Sequence, residues 1–359
     1  MTGKPFRWGV FGTGAISAKF IAGLAHASDA QVAFVASRTL ESAERFVAGV
    51  GCGRPVAGYA QAAALGGVDA IYIATPPALH AEHALACIAA GTPVLIEKPM
   101  ASSAQDARRI AEAARARSVF AMEAMWTRFL PAAQALREVV LSRRCGDIRL
   151  VSGDFGLSQR PEPRNGMFDP AMGGGALAHL GAYPLSLAQW LFGEPLDVQA
   201  MGVIGDTGVD ETVAIQCRYA GDVLGSFHCS LRSWSDDRFL VSGTEGSVGL
   251  HGSIVRPYGV RVAVEGTRGY DEARFGWRDR LRQNALVHRL AQRLDRSGRG
   301  RAQQQPHHYT GNGYHYEVDE VRACVERGDK ESKTMPLNDS IAVAATADRV
   351  RAAVLAARA

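Results

Sequence analysis

The stretch RWGVFGTGAIS (residues 7–17) decides the fold. A short strand-like run, RWGVFG (7–12), leads into Gly12-Thr13-Gly14-Ala15-Ile16-Ser17, after which the pattern turns helical. In such a turn the first glycine permits the tight reversal and the second lets the backbone approach a pyrophosphate. The third position need only be small, which Ser17 satisfies in place of Gly or Ala. The helix that follows offers free N–H groups and a partial positive charge to phosphates. A glycine turn with no ligand is the competing reading, because one match of this kind is weak alone. Its place between a first strand and a first helix favours a dinucleotide site built on Gly12, Thr13, Gly14, Ala15 and Ile16.

The same rhythm continues outward. QVAFVAS (31–37), AIYIAT (70–75), VLIE (94–97) and VFAME (119–123) read as further strands, and alanine-rich segments at 80–90 and 103–117 read as helices between them. Near-continuous apolar strands alternating with helices imply a doubly wound parallel sheet of the α/β class. After about Met125 the pattern changes. IRLVSGDFG (148–156), DVQAMGVIG (197–205), TVAIQCRYA (212–220), VLGSFHCSL (223–231) and RFLVSGT (238–244) follow one another as strands. Ala220-Gly221-Asp222 and Thr244-Glu245-Gly246 are good hairpin turns, so a mostly antiparallel sheet is expected. Helical patterns occupy 176–192, 315–327 and 338–357. A length of 359 residues suits two domains. We expect a dinucleotide-binding domain over 1–123 and an α+β domain for substrate and oligomerisation over 124–359.

Composition narrows the class. Hydrophobic content of 47% with 21% charged residues is that of a globular protein. Nine Arg against two Asp between Arg274 and Arg301 give that segment +7, leaving −3 for the rest of a chain whose net charge is +4. That is a basic segment on a mildly acidic body, not a nucleic-acid-binding protein. Six scattered cysteines without a C-x-x-C pair read as reduced, mostly buried thiols. No signal peptide and no long apolar run are visible, so a cytoplasmic protein without a membrane span is expected. His80, His83 and His307-His308 have no carboxylate or Cys at ligand spacing, and no metal is expected. The segment 276–308 reads as a basic insertion, with Leu281, Leu286, Leu290 and Leu294 near helical spacing among arginines and a polar SGRGRAQQQPHH end. It is either a solvated insertion packing an apolar edge on its own domain or a neighbour, or a helix for an anionic membrane surface.

Two further places carry chemistry. VLIEKPM (94–100) delivers Lys98 to the C-terminal end of a strand, where ligands of open parallel sheets sit, and Pro99 pins the turn. The second strand ends in Ser37-Arg38 where an NAD site has Asp or Glu. Ser37 can donate a hydrogen bond and Arg38 can pair with a 2′-phosphate, which favours NADP over NAD. The alternative for Arg38 is a solvated loop residue.

With TPPALH (75–80), IEKPMA (96–101), EAMWTRFLP (123–131), GGGALAHLGAYP (173–184) and the tail at 314–340, the chain resembles the Gfo/Idh/MocA oxidoreductases over nearly its whole length. The similarity is to the branch of dimeric dihydrodiol dehydrogenases and NADP-dependent D-xylose dehydrogenases. The resemblance implies that Thr75, Pro76 and His80 lie beside the cofactor and that Glu97 orients the site. It places Lys98 near nicotinamide and substrate, makes Pro99 a cis proline and gives Tyr183 the catalytic acid/base role. Trp126, Arg128 and Phe129 would line the substrate side, and the open face of the antiparallel sheet would pair subunits into a homodimer or homotetramer. One departure stands out: His179 occupies the place of the family's Asp.

Oxidising a CH–OH group requires hydride departure and proton removal. A Tyr is a poor base at its ordinary pKa of about 10, and a nearby ammonium can bring that value down. Lys98 can do this for Tyr183 without taking the proton. His179 and Tyr183 are four apart, on one face of a continuous helix, although Pro184 biases Tyr183 away from helical geometry. His179 then either bonds substrate, relays a proton, or is a satisfied structural histidine. The expected function is an NADP-dependent oxidoreductase acting on a pyranose-like sugar or cyclic diol. The alternatives are an inositol, keto or anhydro sugar on the same scaffold, and a non-catalytic NADP-binding sensor.

Overall fold

The computed structural model describes residues 4–162, 165–264, 284–287 and 302–357. Its first sheet has six parallel strands in the order β3-β2-β1-β4-β5-β6. The strands are β1 (Phe6–Phe11), β2 (Ala30–Ser37), β3 (Arg54–Ala57), β4 (Ala70–Ile73), β5 (Val94–Glu97) and β6 (Ala121–Ala124). Alternate side chains of each strand leave by opposite faces. Trp8, Val10 and Tyr72 join one apolar cluster with Phe20 of α1 (Ala15–Leu24). Phe11, Ile71 and Ile73 join another with Ile88 of α4 (His80–Ala89) and Ile110 of α5 (Ala104–Arg117). Both faces are covered, which is why the strands read as continuous apolar runs. Strand order reverses between β1 and β4, so their carboxyl ends frame the ligand crevice. Helices α2 (Leu40–Val50) and α3 (Tyr59–Ala63) complete this half.

The second sheet has eight strands in the order β14-β13-β12-β11-β7-β10-β9-β8. They are β7 (Ile148–Gly156), β8 (Asp197–Ile204), β9 (Asp210–Tyr219), β10 (Val223–Ser230), β11 (Phe239–Gly243), β12 (Gly246–Ser253), β13 (Arg256–Val264) and β14 (Ala302–Pro306). Every neighbouring pair is antiparallel except β7 and β10. Gly221 and Asp222, with φ of 76° and 60°, supply the left-handed backbone of the three-residue β9–β10 hairpin loop between the paired Tyr219 and Val223. One face is covered by α6 (Pro131–Leu141) and α7 (Ala182–Phe192). On the other, Leu150 pairs directly with Leu224, and these are 55% and 52% exposed. The chain then returns. Helix α8 (His315–Arg327) packs on α1, and α9 (Leu337–Ala356) packs on α5, α7 and β8, tying the two sheets together.

Three departures from the sequence reading have physical reasons. Strand β3 is four residues with a proline, too short to show alternation. Residues 302–306, read as the end of an insertion, form edge strand β14 on β13. Backbone pairing makes that strand, since AQQQP has no apolar pattern of its own. The rest of the expected basic insertion, 276–283 and 288–301, lies outside the described residues, and Leu286 between them is 67% exposed. Finally, the helix expected over 176–192 is a π turn, Leu177–Gly181, followed by α7, with Ala182 N–H reaching back to Leu177 O. Tyr183 is helical despite Pro184, because that proline sits in the first turn, where an absent N–H is tolerated.

Candidate active site

The turn after β1 is shaped for a dinucleotide. Gly12 has φ of 104°, and a Cβ there would lie 2.5 Å from Ala74 O, so no larger residue fits. Gly14 precedes α1 with open space before it, and no side chain caps the helix N-terminus, which leaves its N–H groups for an anion. Ser17 is fully buried where α1 meets the sheet, the close packing its small size allows. At the end of β2, Ser37 Oγ lies 3.4 Å from Thr13 Oγ1, and Arg38 is exposed beside it. The Tyr59 hydroxyl contacts Ser37 and feels the Arg38 charge. The residues present fit a nicotinamide dinucleotide.

Thr75 and Pro76 follow β4. Thr75 Oγ1 is 2.9 Å from His83 Nδ1, and His80 lies below the loop with Nε2 2.7 Å from Thr75 O and Nδ1 2.9 Å from Pro99 O. Burial lowers the His80 pKa to about 4, so the ring is neutral and its single N–H serves one carbonyl at a time. His80 was expected to contact cofactor; it is 1% exposed, and both ring nitrogens face backbone, so it holds the β4 and β5 loops together instead.

Strand β5 delivers Glu97 and Lys98 into the crevice, and the Lys98–Pro99 peptide is cis. Glu97 is buried, accepting from Tyr72 Oη at 2.5 Å and from Lys98 N at 3.1 Å. Lys98 Nζ donates to His179 O at 2.9 Å and lies 5.0 Å from the Tyr183 ring centroid. Burial lowers the Lys98 pKa, and the charges of Glu97 and Glu123 counter it. The structure thus brings Glu97, Lys98, His179 and Tyr183 together. Burial, and then the Glu97 carboxylate, push the Tyr183 phenol well up, with the Trp126 indole pulling the other way. The ammonium stands over the ring, and the phenol is held protonated. His179 is pushed down to about 3 by burial and then by Lys98 and His80, so its imidazole is neutral, and its buried Nε2 has no hydrogen-bond partner. That nitrogen can hold a hydroxyl, but so weak a base is a poor proton relay.

Trp126 stacks on Tyr314 with ring centroids 4.9 Å apart, and Phe129 lies in the same short turn. Arg128 does not line the cleft. It is 0% exposed, and its guanidinium donates to Ser186 Oγ and O, Thr334 O and Asp339 Oδ2, the last at 2.6 Å. Its place two residues after Trp126 put it near the cleft in sequence, but the turn sends it into the protein. The sequence reading also missed Arg256, whose guanidinium lies 5.8 Å from the Trp126 ring, and Glu317 in the first turn of α8. Glu317 is fully buried with both oxygens unpartnered, and burial, then the Glu97 charge, raise its pKa well above the usual carboxylate value. Arg256 stands near no motif, and Glu317, although inside the tail at 314–340, has no local signal that sets it opposite Glu97. Among the described residues no cluster of His, Cys, Asp and Glu has metal-binding geometry, and no helix is long and apolar enough to cross a membrane. Five of the cysteines are buried and Cys52 is half-buried.

Residues 6–125 match the oxidoreductase family with an NAD-binding Rossmann fold, and residues 133–249 match the GFO/IDH/MocA C-terminal domain. The chain belongs to the Gfo/Idh/MocA oxidoreductases. The trans-1,2-dihydrobenzene-1,2-diol dehydrogenase of Sus scrofa is 34% identical over 353 residues, covering 97% of this chain and 96% of that one. The Homo sapiens protein of the same name is 33% identical over 352 residues, with 97% and 96% covered. Among solved structures, the aldose-aldose oxidoreductase of Caulobacter crescentus superposes with a TM-score of 0.80 at 19% identity, covering 99% of both chains. A levoglucosan dehydrogenase does so with 0.79 at 20% identity, covering 98% of each. This oxidoreductase therefore pairs an NAD(P)-binding Rossmann domain with the sheet domain of its family.

Proposed function

We propose that the protein is an NADP-dependent dehydrogenase or reductase that moves a hydride between nicotinamide and a CH–OH carbon of a pyranose-like sugar or cyclic diol. The observation that carries this is Lys98: one side chain, at the carboxyl end of β5 in the dinucleotide-binding sheet, reaches both the His179 carbonyl and the face of Tyr183. The dihydrodiol dehydrogenase relatives support the substrate class. Gly12 to Ile16, Thr75 and Pro76 would hold the dinucleotide, and Ser37 and Arg38 its 2′-phosphate. When bound, the oxidised nicotinamide supplies the hydride acceptor and a positive charge.

Tyr183 takes the hydroxyl proton in oxidation and returns it in reduction. Burial keeps its phenol protonated at rest, which suits the reductive direction and the acid role. In oxidation a positive charge in the crevice brings the phenol down. His179 Nε2 holds a neighbouring hydroxyl of the substrate, and Glu97 fixes the Lys98 backbone through its contact with Lys98 N. Trp126 and Phe129 give the ring an apolar wall. We further read the open sheet face, with Leu150, Leu224 and the 73% exposed Met201, as the contact between two copies of the chain.

The test is NADPH formation by the purified protein with D-xylose, D-glucose and a trans-dihydrodiol, each with NADP and NAD. Turnover with NADP and a sugar or diol is expected. Tight NADPH binding with silence across these substrates, and across keto and anhydro sugars as oxidants, would favour the sensor reading instead. Light scattering checks the assembly: a dimer is expected, and Leu150→Lys with Leu224→Lys should give monomers.

A further inference from the structure

Arg256 opens β13 with its side chain exposed at the cleft. Its guanidinium sits 5.8 Å from the ring of Trp126, whose indole stacks on Tyr314. Its charge acts on the hydroxyls of Tyr183, Tyr309 and Tyr314, so it stands at the same cluster as the proposed acid/base. Gly313 closes this cluster, since a Cβ there would meet the Trp126 ring at 3.1 Å and the Tyr309 ring at 3.2 Å. Arg128, Arg232 and Arg238 each have a carboxylate within ion-pair distance. Among the described residues, no carboxylate pairs with Arg256. An arginine held against an aromatic face keeps its N–H fork free for a planar anion. Here that fork has no counter-charge among the described residues, and its charge reaches the Tyr183 hydroxyl.

We propose that Arg256 recognises an anionic group on the substrate, so that the preferred substrate is a sugar or cyclic diol bearing a carboxylate or phosphate. This rests on the dehydrogenase reading above and narrows it. The anionic group stays chemically unchanged: once Tyr183 has released its phenol proton to solvent, the C–H bond of the CH–OH carbon breaks, its hydride goes to the oxidised nicotinamide, the hydroxyl proton goes to the Tyr183 phenolate, and a carbonyl forms. A guanidinium–anion contact of this kind gives specificity by orienting the ring as well as by attraction.

The experiment compares the full-length wild type and Arg256→Gln with NADP and three probes sharing one ring: D-glucose, D-glucuronate and D-glucose 6-phosphate. In the wild type, kcat/KM for one anionic probe should exceed that for D-glucose by about tenfold or more, the size of one charge-assisted contact. The carboxylate and phosphate arms show which anion is read. In Arg256→Gln the ratio of anionic to neutral kcat/KM should fall toward one, mainly through KM. Equal use of neutral and anionic sugars by the wild type, or a variant that loses all three alike, would overturn the proposal. If no probe turns over, the D-xylose and trans-dihydrodiol assay above still decides the dehydrogenase reading, and calorimetric titration of both anionic probes into the protein–NADP complex decides this one separately. Binding abolished by Arg256→Gln supports it, and no binding, or binding the variant retains, overturns it.

Discussion

Lys98 Nζ and the backbone carbonyl of His179 form a 2.9 Å hydrogen bond between the two halves of the protein. The ammonium comes from the end of β5 and the carbonyl from the π turn that precedes α7, so the bond fixes where the segment carrying Tyr183 sits over the nucleotide crevice. π turns are found frequently at functional sites, and here the i+5 donor to His179 O would be Pro184, which has no N–H to offer in competition with Lys98. The residue type at 179 matters less to this contact than its backbone, which bears on the departure from the family's Asp.

Lys98→Met tests whether the lysine positions or tunes. The ammonium lies 5.0 Å from the ring centroid, and burial rather than Lys98 sets the state of the phenol. We therefore predict a turnover loss of about two orders of magnitude with the pH profile nearly unmoved. The sequence alone pointed to an alkaline shift. A shift of about one pH unit would restore direct tuning of Tyr183 by Lys98.

Tyr183→Phe removes one hydroxyl and leaves the ring packed against Phe155, with centroids 5.6 Å apart. Turnover should fall by about two orders of magnitude or more, the usual scale of a lost general acid–base. NADP affinity, read by fluorescence titration, should be retained. Near-normal turnover would take the acid/base role away from Tyr183.

His80 makes stability depend on pH. Its pKa is about 4 in the folded protein against an ordinary 6.5, depressed by burial. A depressed folded value means the stabilisation is fully present above about 6.5 and is lost as pH falls toward 4, at most about 3 kcal/mol for this one group. The Tm should therefore decline between pH 6.5 and 4, and His80→Gln should flatten that slope while lowering the value at pH 7.5. An unchanged slope in the variant would assign the acid sensitivity elsewhere, with His179 the next candidate.

The sequence made the Rossmann half legible because its signals are local: an apolar strand, a glycine turn and a helix stand next to one another at 7–17. β5, β7 and α8 fall on the residues expected from their patterns. What stayed hidden depends on distance. Arg256 meets Trp126 across 130 positions of chain, and Glu317 faces Glu97 across 220. Strand β14 exists through its partner rather than its own side chains. Arg128 shows the opposite failure, since a motif placed it in the cleft and a turn carried it into the core.

Arg38→Ala addresses the nucleotide preference. Arg38 is exposed at the end of β2, beside Ser37 and the Tyr59 hydroxyl, with no acidic residue before Glu41. A guanidinium–phosphate contact should be absent from the NAD complex, so the variant's KM for NADP should rise by about tenfold or more while that for NAD changes little. Equal effects on both nucleotides would return Arg38 to the solvated loop.

Arg128→Met separates structure from substrate contact. The guanidinium is enclosed against Asp339, and Trp190 lies 5.6 Å from it. Removing one partner of such a pair is more damaging than removing both, because the survivor is left without its counter-charge. Asp339 is 22% exposed and regains some water, whereas Arg128 in an Asp339→Ala protein regains none. Asp339→Ala should therefore cost about 3 kcal/mol, and Arg128→Met less. Both should lower the denaturation midpoint while leaving KM for the sugar or diol within about twofold, since the side chain makes no contact with the cleft. A large KM change at unaltered stability would put Arg128 back in the substrate site.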